Sequence, residues 1–86
     1  MAKSIFTEEY ALFLRHLRNS RKNAGLTQEQ VANRLNQTQS FVSKCERGER
    51  RIDVVEIRAF CCAMEISFIE FMRQLEVLLK EQIKSN

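Results

Sequence analysis

Residues 25–48, GLTQEQVANRLNQTQSFVSKCERG, predict two short helices joined by a tight turn. Thr27 supplies a hydroxyl for an N-cap, and Gln30, three residues later, completes the S/T-x-x-E/Q pattern of a capping box. An apolar stripe at helical spacing follows, made of Val31, Ala32 and Leu35. Asn36 stands at the break, where a short turn needs a residue that tolerates the left-handed conformation.

The second helix of this stretch, about residues 39–46, has a polar outer face. Val42 and Cys45 are its inward positions. The outer positions are Gln39, Ser40, Ser43 and Lys44. Short polar side chains, on a face with few acidic residues, are the types that read base edges in the major groove of DNA. The pattern therefore indicates a helix that reads DNA.

The two helices together resemble the helix-turn-helix of the XRE (Cro/cI-like, phage-repressor type) family. The resemblance runs from about Leu14 to Phe71. It is carried by Arg21, Gly25-Leu26-Thr27-Gln28, Val31-Ala32, the helix that starts at Gln39, and Glu46-Arg47-Gly48. It implies an all-α, five-helix, lambda-repressor-like DNA-binding domain, to which the sequence adds an extended C-terminal helix.

Length and charge are consistent with one small DNA-binding domain. Eighty-six residues allow a single domain, residues 1–86, with one modest core. The apolar runs are too short to span a membrane, and charged residues interrupt the N-terminal region where a signal peptide would need an apolar stretch, so we expect a cytoplasmic protein. Residues 1–51 carry ten Lys/Arg and five Asp/Glu, whereas residues 52–86 carry four Lys/Arg and six Asp/Glu. This distribution suits one surface that binds nucleic acid and a separate surface that binds protein.

The chain offers no convincing catalytic or metal-binding set. His16 is the single histidine and is expected at an exposed position of the first helix. Cys45, Cys61 and Cys62 lack the spacing of a zinc site. Cys45 and one of the adjacent pair are expected to pack as small core hydrophobes. We therefore expect neither an enzyme nor a bound metal, cofactor or small-molecule ligand.

Four side chains are candidates for base reading. Gln39 matches the family's first base-reading position, and a Gln amide can pair bidentately with adenine. Ser40, Ser43 and Lys44 follow on the groove-facing side. Lys44 is suited either to guanine or to a phosphate.

Other residues are expected on the DNA backbone. Thr27 and Gln28 begin a helix whose N-terminal amides suit a phosphate, and the resemblance places the Gln28 side chain on the backbone too. Arg47, Arg50 and Arg51 are further backbone candidates, which supply affinity without sequence information. Phe41 belongs to the same set; its ring is expected either to touch a thymine methyl or to pack against Gln28.

The resemblance also implies a structural ion pair between Arg21 and Glu46, which would join the first helix to the end of the third. Two positions depart from the family pattern. Asn36 replaces the usual turn glycine, which is tolerable. Glu65 stands where a glycine commonly ends the fourth helix, and because Glu in a left-handed conformation costs about 1 kcal/mol, we expect the junction before the fifth helix to be rebuilt.

The last helix, about residues 67–84, has an apolar face longer than one small core needs. We expect a two-fold partner helix to cover it, since cyclic dimers dominate small oligomers. The predicted dimer interface consists of Phe71, Leu75, Leu78, Leu79 and Ile83. The alternative cover is Ile5, Phe6 and the first helix of the same chain.

These features favour a homodimeric, sequence-specific transcriptional regulator of double-stranded DNA, repressor-like in action. A regulator of this kind would suit a prophage, a restriction–modification system or a toxin–antitoxin pair. The alternatives are an antitoxin or other protein-interaction module that reuses the fold, and a nonspecific nucleoid-type DNA binder.

Overall fold

The computed structural model describes residues 7–85, with side chains up to residue 82. This part of the chain contains five α-helices: α1 Glu8–Asn23, α2 Gln28–Leu35, α3 Gln39–Glu46, α4 Val54–Met64 and α5 Phe68–Ser85. The predicted all-α, five-helix fold with a long last helix is therefore confirmed. Between residues 7 and 85, no helix combines the length and apolarity that crossing a membrane requires.

Each helix begins where a short side chain accepts a hydrogen bond from an amide in the first turn. These N-caps are Thr7, Thr27, Thr38, Asp53 and Ser67, with donor–acceptor distances of 2.8 to 3.1 Å. Thr27 and Asp53 form complete capping boxes, because Gln30 and Glu56 accept from the cap amides in return. Local sequence therefore determines where the elements start.

The turn between α4 and α5 keeps its ordinary form, and the expectation of a rebuilt junction is wrong. Glu65 itself adopts the left-handed conformation, with φ 59° and ψ 40°. The amides of Glu65 and Ile66 donate to the carbonyls of Cys62 and Cys61, both at 3.0 Å. Arg34 of α2 donates to the Ala63 carbonyl at 2.6 Å, which satisfies another group at this helix end. These contacts offset a backbone strain of about 1 kcal/mol.

The core lies where α2 packs against α3 and α4, and where α5 packs against α1 and α4. The largest fully buried side chains are Phe60, Phe71, Leu17, Val31, Val42, Cys45 and Cys61. Removing a large apolar side chain from water stabilises the fold by about 1.5–3 kcal/mol. The two buried cysteines are those predicted as core hydrophobes, and Cys62 is exposed. Burial raises the pKa of the Cys45 thiol, and it raises that of Cys61 to about 11, so both resist ionisation.

His16 is buried, contrary to the expectation of an exposed position. The residue is 8% exposed, and its ring stacks on Phe71 with centroids 4.2 Å apart. Its Nε2 lies 3.0 Å from the Phe71 carbonyl oxygen, and because a carbonyl only accepts, Nε2 carries the proton. The imidazole thus joins α1 to α5 by a contact between residues far apart in sequence.

The apolar face of α5 is covered largely by the same chain. Phe71 is 1% exposed and Leu75 is 9% exposed, so both face the chain's own core and are removed from the predicted dimer interface. Near the end of α5, Gln82 Nε2 donates to Glu8 Oε1 at 3.1 Å. Together with the His16–Phe71 contact, this bond shows that α5 runs antiparallel along α1 as far as Gln82.

The remaining predicted interface positions are less covered. Leu78 and Leu79 are half-buried. The Ile83 side chain, and the alternative cover by Ile5 and Phe6, lie outside the described residues. A partner helix would therefore meet mainly the C-terminal half of α5.

Candidate nucleic-acid interface

The outer face of α3 presents a compact set of polar side chains. Gln39, Ser40 and Lys44 are exposed, and Ser43 is half-buried. On the opposite side, Val42 and Cys45 are fully buried, which holds the helix against α2 and the core. The predicted base-reading residues thus share one surface, on a helix whose orientation is set by packing.

The start of α2 lies beside this surface, since α2 and α3 pack together. The Thr27 hydroxyl accepts from the Gln30 amide at 3.1 Å, and the Thr27 amide donates to Gln30 Oε1 at 2.8 Å. Among the described residues, the amides of Gln28 and Glu29 are left without an intrahelical acceptor, as expected at a helix N-terminus. Such amides, with the positive end of the helix dipole, form a site that suits a phosphate.

An ion pair between Arg21 and Glu46 fixes α3 to α1. Arg21 Nε donates to Glu46 Oε2 at 2.7 Å, and Nη2 donates to Oε1 at 3.0 Å. The remaining nitrogen, Nη1, donates to the Leu26 carbonyl at 2.9 Å. The side chains of the pair are only 10% and 4% exposed. The guanidinium therefore holds three elements together: α1, the turn before α2 and the end of α3.

A second partner of Glu46 was missed by sequence reasoning. Gln28 Nε2 donates to Glu46 Oε1 at 2.9 Å. The other side of the Gln28 amide faces Gln39, whose Nε2 lies 3.5 Å from Gln28 Oε1. The two glutamines are eleven positions apart. Only the packing of α2 on α3 brings them together, and local sequence patterns carry no signal for such a contact.

The arginines of the loop after α3 are paired with acidic residues. Arg47 donates to Glu49 at 2.9 Å and also to the Ser43 hydroxyl. Arg50 donates to Glu56 at 2.8 Å. These hydrogen bonds hold the pKa of Glu49 and that of Glu56 below their usual values. A phosphate would have to replace a carboxylate at each of these two arginines.

The Phe41 ring makes two contacts that the sequence did not indicate. Its ring is half-buried, stacks nearly parallel on Phe60 at 6.5 Å, and is covered by the Arg50 guanidinium at 4.8 Å. Its amide donates to the Thr38 hydroxyl in the α3 cap. Because the ring has no donor and the amide is engaged, we no longer assign Phe41 to the DNA backbone. It serves instead as the platform on which Arg50 lies.

Arg51 reaches back to α1. Its guanidinium lies 4.6 Å from the centre of the Tyr10 ring, and the Tyr10 hydroxyl accepts from the Ile52 amide at 3.0 Å. The loop between α3 and α4 is thereby held to the start of α1. In residues 7–82, whose side chains are described, no group of three or more metal-ligating residues occurs.

Comparisons with known proteins agree with this geometry. Residues 9–67 match the family model described as "Helix-turn-helix domain". The chain is 40% identical to an XRE-family like protein from Pseudomonas syringae pv. tomato str. DC3000, with 81% of this chain and 85% of that chain covered and a TM-score of 0.77. The restriction–modification controller protein C.Esp1396I shares the fold at 23% identity. The match covers 92% of this chain and 99% of that chain, with a TM-score of 0.76. A mutant of that controller protein, with one tyrosine replaced by phenylalanine, is also 23% identical. That match covers 95% of this chain and 100% of the mutant chain, with a TM-score of 0.77.

A search of curated proteins found no match. The family model covers more than half of the chain, and the Pseudomonas protein adds a relative of substantial identity over most of its length. The chain belongs to the XRE family of helix-turn-helix proteins.

Proposed function

We propose that the protein is a sequence-specific transcriptional regulator that binds double-stranded DNA as a homodimer and acts as a repressor. The observation that carries the proposal is the exposed polar face of α3, which presents Gln39, Ser40 and Lys44 on a helix anchored by buried residues. A rigid helix with such a face satisfies the main requirement of major-groove reading, because the side chains reach base edges from a fixed backbone.

In this proposal the base-reading residues are Gln39, Ser40, Ser43 and Lys44. Gln39 would read adenine, and Lys44 would contact guanine or a phosphate. Ser43 accepts a hydrogen bond from Arg47, and its own O–H group remains as a donor to a base.

Backbone contacts would come from both sides of α3. The start of α2, with the cap at Thr27 and the free amides of Gln28 and Glu29, would bind one phosphate. Arg47, Arg50 and Arg51 would supply positive charge from the other side, and they are already ordered by Glu49, Glu56 and Tyr10. Ordered side chains lose less conformational freedom on binding, which offsets part of the cost of replacing the carboxylates of Glu49 and Glu56.

The dimer part of the proposal depends on the C-terminal half of α5. Leu78 and Leu79 are half-buried and Val77 is 43% exposed, so this part of the helix retains apolar surface. Pairing two copies of α5 about a two-fold axis would cover that surface and place two α3 helices in successive major grooves, about 34–36 Å apart. A repressor of this kind would act by occupying DNA that polymerase needs.

Selection of binding sites from a random pool of double-stranded DNA tests the proposal. A regulator of this type should enrich a two-fold related site whose half-sites lie about one helical turn apart. A protein that merely binds nucleic acid should enrich no sequence, and an interaction module that reuses the fold should retain no DNA at all. Either of these two results would contradict the proposal.

A further inference from the structure

A groove of about 430 Å³ lies between the second half of α1 and the middle of α5. Small-molecule sites in proteins have volumes of roughly 300–1,000 Å³, so the groove is large enough for a small organic ligand. Its α1 wall includes His16, Asn19 and Asn23, and its α5 wall includes Val77 and Leu78. Polar and apolar side chains therefore face one another across it.

The groove lies on the side of α1 that faces away from the recognition helix. His16, Asn19 and Asn23 recur at three- and four-residue steps, so they share one face of α1. Arg21, which bonds Glu46 of α3, projects from a different face of the same helix. A molecule in the groove would thus leave the outer surface of α3 accessible, and its binding does not depend on DNA reading by α3.

His16 places a hydrogen-bond acceptor at the floor of this groove. Its Nε2 donates to the Phe71 carbonyl, so in the neutral ring the other nitrogen, Nδ1, carries a lone pair. Within residues 7–82 no side chain or backbone group bonds Nδ1. In the same part of the chain every fully buried polar side-chain atom has a partner. Nδ1 therefore reaches the surface, although His16 is only 8% exposed, and the surface it reaches is the groove.

The walls of the groove suit a flat heterocycle with polar edges. The amides of Asn19 and Asn23 are exposed, and each presents a donor beside an acceptor. Side-chain amides of this kind pair with the edges of nucleobases, which also carry neighbouring donors and acceptors. Val77, 43% exposed, and the half-buried Leu78 offer apolar surface to the face of a ring.

The charges around the groove favour a ligand without a phosphate. Arg73 donates twice to Glu70, at 3.0 and 2.6 Å, so its guanidinium is already neutralised. Gln74 also donates to Glu70, at 3.1 Å. Glu81 adds a second carboxylate to the lining. A phosphate would have to displace Glu70 from Arg73 and would meet the charge of Glu81, whereas a neutral molecule would do neither.

We infer that this groove binds a nucleoside, whose base donates an N–H to His16 Nδ1 and pairs along its edge with Asn19 and Asn23. A nucleoside bound there touches both α1 and α5 and so stabilises their contact. Leu78 also belongs to the part of α5 that we assign to the dimer, so the site adjoins that surface. The sequence indicated no small-molecule ligand, because the lining residues come from two helices far apart in the chain.

Nuclear magnetic resonance of the His16 ring tests the inference directly. His16 is the single histidine of the chain, so the two imidazole ¹⁵N signals of the labelled protein belong to it. Adenosine, guanosine, cytidine and uridine are titrated separately, at a pH where the ¹⁵N shifts show a neutral ring. We expect at least one nucleoside to move the Nδ1 signal saturably, while Nε2 keeps its proton. Ribose alone should leave Nδ1 in place, and the matching nucleoside 5′-monophosphate should bind more weakly than the nucleoside.

Variants of the α1 wall separate this site from binding elsewhere. Asn19→Ala and Asn23→Ala should each weaken binding of that nucleoside about tenfold in isothermal titration calorimetry, the scale of one hydrogen bond. Asn33→Ala is the matched control, because Asn33 is an exposed asparagine of α2 outside the groove, and it should bind as the wild type does. Circular dichroism checks that each variant keeps the fold.

Three results would overturn the inference and leave the proposed function unaffected. The first is that none of the four nucleosides moves Nδ1 saturably, or that ribose moves it equally. The second is that Asn19→Ala and Asn23→Ala bind the nucleoside as tightly as Asn33→Ala. The third is that the monophosphate binds more tightly than the nucleoside, which would make the ligand an anion.

Discussion

Arg21 and Glu46 form a two-point ion pair across the contact between α1 and the end of α3, with N–O distances of 2.7 and 3.0 Å. Since the two side chains are 10% and 4% exposed, water screens the pair weakly. Five further ion pairs within residues 7–82 each have at least one side chain more than two-fifths exposed. The position of the recognition helix therefore depends on a buried charge pair.

Removing one member of this pair should destabilise the fold strongly. Arg21→Ala leaves the Glu46 carboxylate buried without its cation, and we expect a loss of about 3–5 kcal/mol in the free energy of unfolding. The matched control is Arg73→Ala, which breaks the exposed Arg73–Glu70 pair and should change the free energy of unfolding far less. Urea unfolding measures both, and equal small losses would show that the Arg21–Glu46 pair is solvated.

His16 should behave as a core residue. His16→Ala removes the ring that stacks on Phe71 together with the bond to the Phe71 carbonyl, and we expect a loss of about 2 kcal/mol, as for other large-to-small changes in a core. Arg15→Ala, at the exposed neighbouring position, should stay within about 0.5 kcal/mol of the wild type. Similar unfolding midpoints for the two variants would place His16 at the surface after all.

Replacing Glu65 with glycine should stabilise the protein. Glu65→Gly relieves a left-handed conformation that costs an L-residue about 1 kcal/mol, although glycine also gains freedom in the unfolded chain. We expect a net gain of roughly 0.5 kcal/mol from these two effects. Both variants lose the exposed contact with Arg34, but Glu65→Ala also keeps the strain, so it should bring no gain. A higher melting temperature for alanine than for glycine would contradict this account of the turn.

Changes on the recognition surface should separate base contacts from backbone contacts. Gln39→Ala and Lys44→Ala should each weaken binding to a selected site by about 1–3 kcal/mol where a bidentate base contact is lost. Arg50→Ala should weaken all sequences alike and lower the slope of log affinity against log salt by about one. Binding titrations at several salt concentrations distinguish the two patterns, and a sequence-dependent effect of Arg50→Ala would place that side chain on a base.

Assembly should depend on the C-terminal half of α5. Leu78→Asp places a charge on the half-buried surface that we assign to the partner helix, so the variant should sediment as a folded monomer and bind a two-half-site DNA far more weakly. Ile69→Asp is the control, because Ile69 is 79% exposed at the other end of α5 and should leave the dimer intact. If Ile69→Asp alone dissociates the protein, the interface lies at the N-terminal end of the helix. If the wild type sediments as a monomer at tens of micromolar, the dimer proposal is wrong.

The sequence predicted the elements well because short-range rules decide where helices begin and end. The capping box at Thr27 needs only three neighbouring residues, and the structure has it. Asn36 in the left-handed conformation follows from the same kind of rule. The Arg21–Glu46 pair was expected from the resemblance to the family, since its members are 25 positions apart and no local pattern links them.

Contacts between distant elements account for the errors. His16 was placed at the surface because it follows Arg15 in a helix, whereas α5 lies across it through Phe71. Phe71 was assigned to a partner chain because an apolar face can be covered by any helix, and the sequence does not say which one. The relation of Gln28 to both Glu46 and Gln39 depends on the packing of α2 on α3, so it became visible only in the structure.

Sequence-specific recognition by α3 is the central claim, and a competition binding experiment tests it most directly. The wild-type protein is bound to a site selected from random DNA, at near-physiological salt, and is challenged with unlabelled selected DNA or with scrambled DNA of the same composition. The account predicts that the scrambled DNA competes at least about a thousandfold less well, the lower end of the range for specific regulators. Equal competition by the two DNAs would contradict it, and would leave a protein that binds DNA only through its charge.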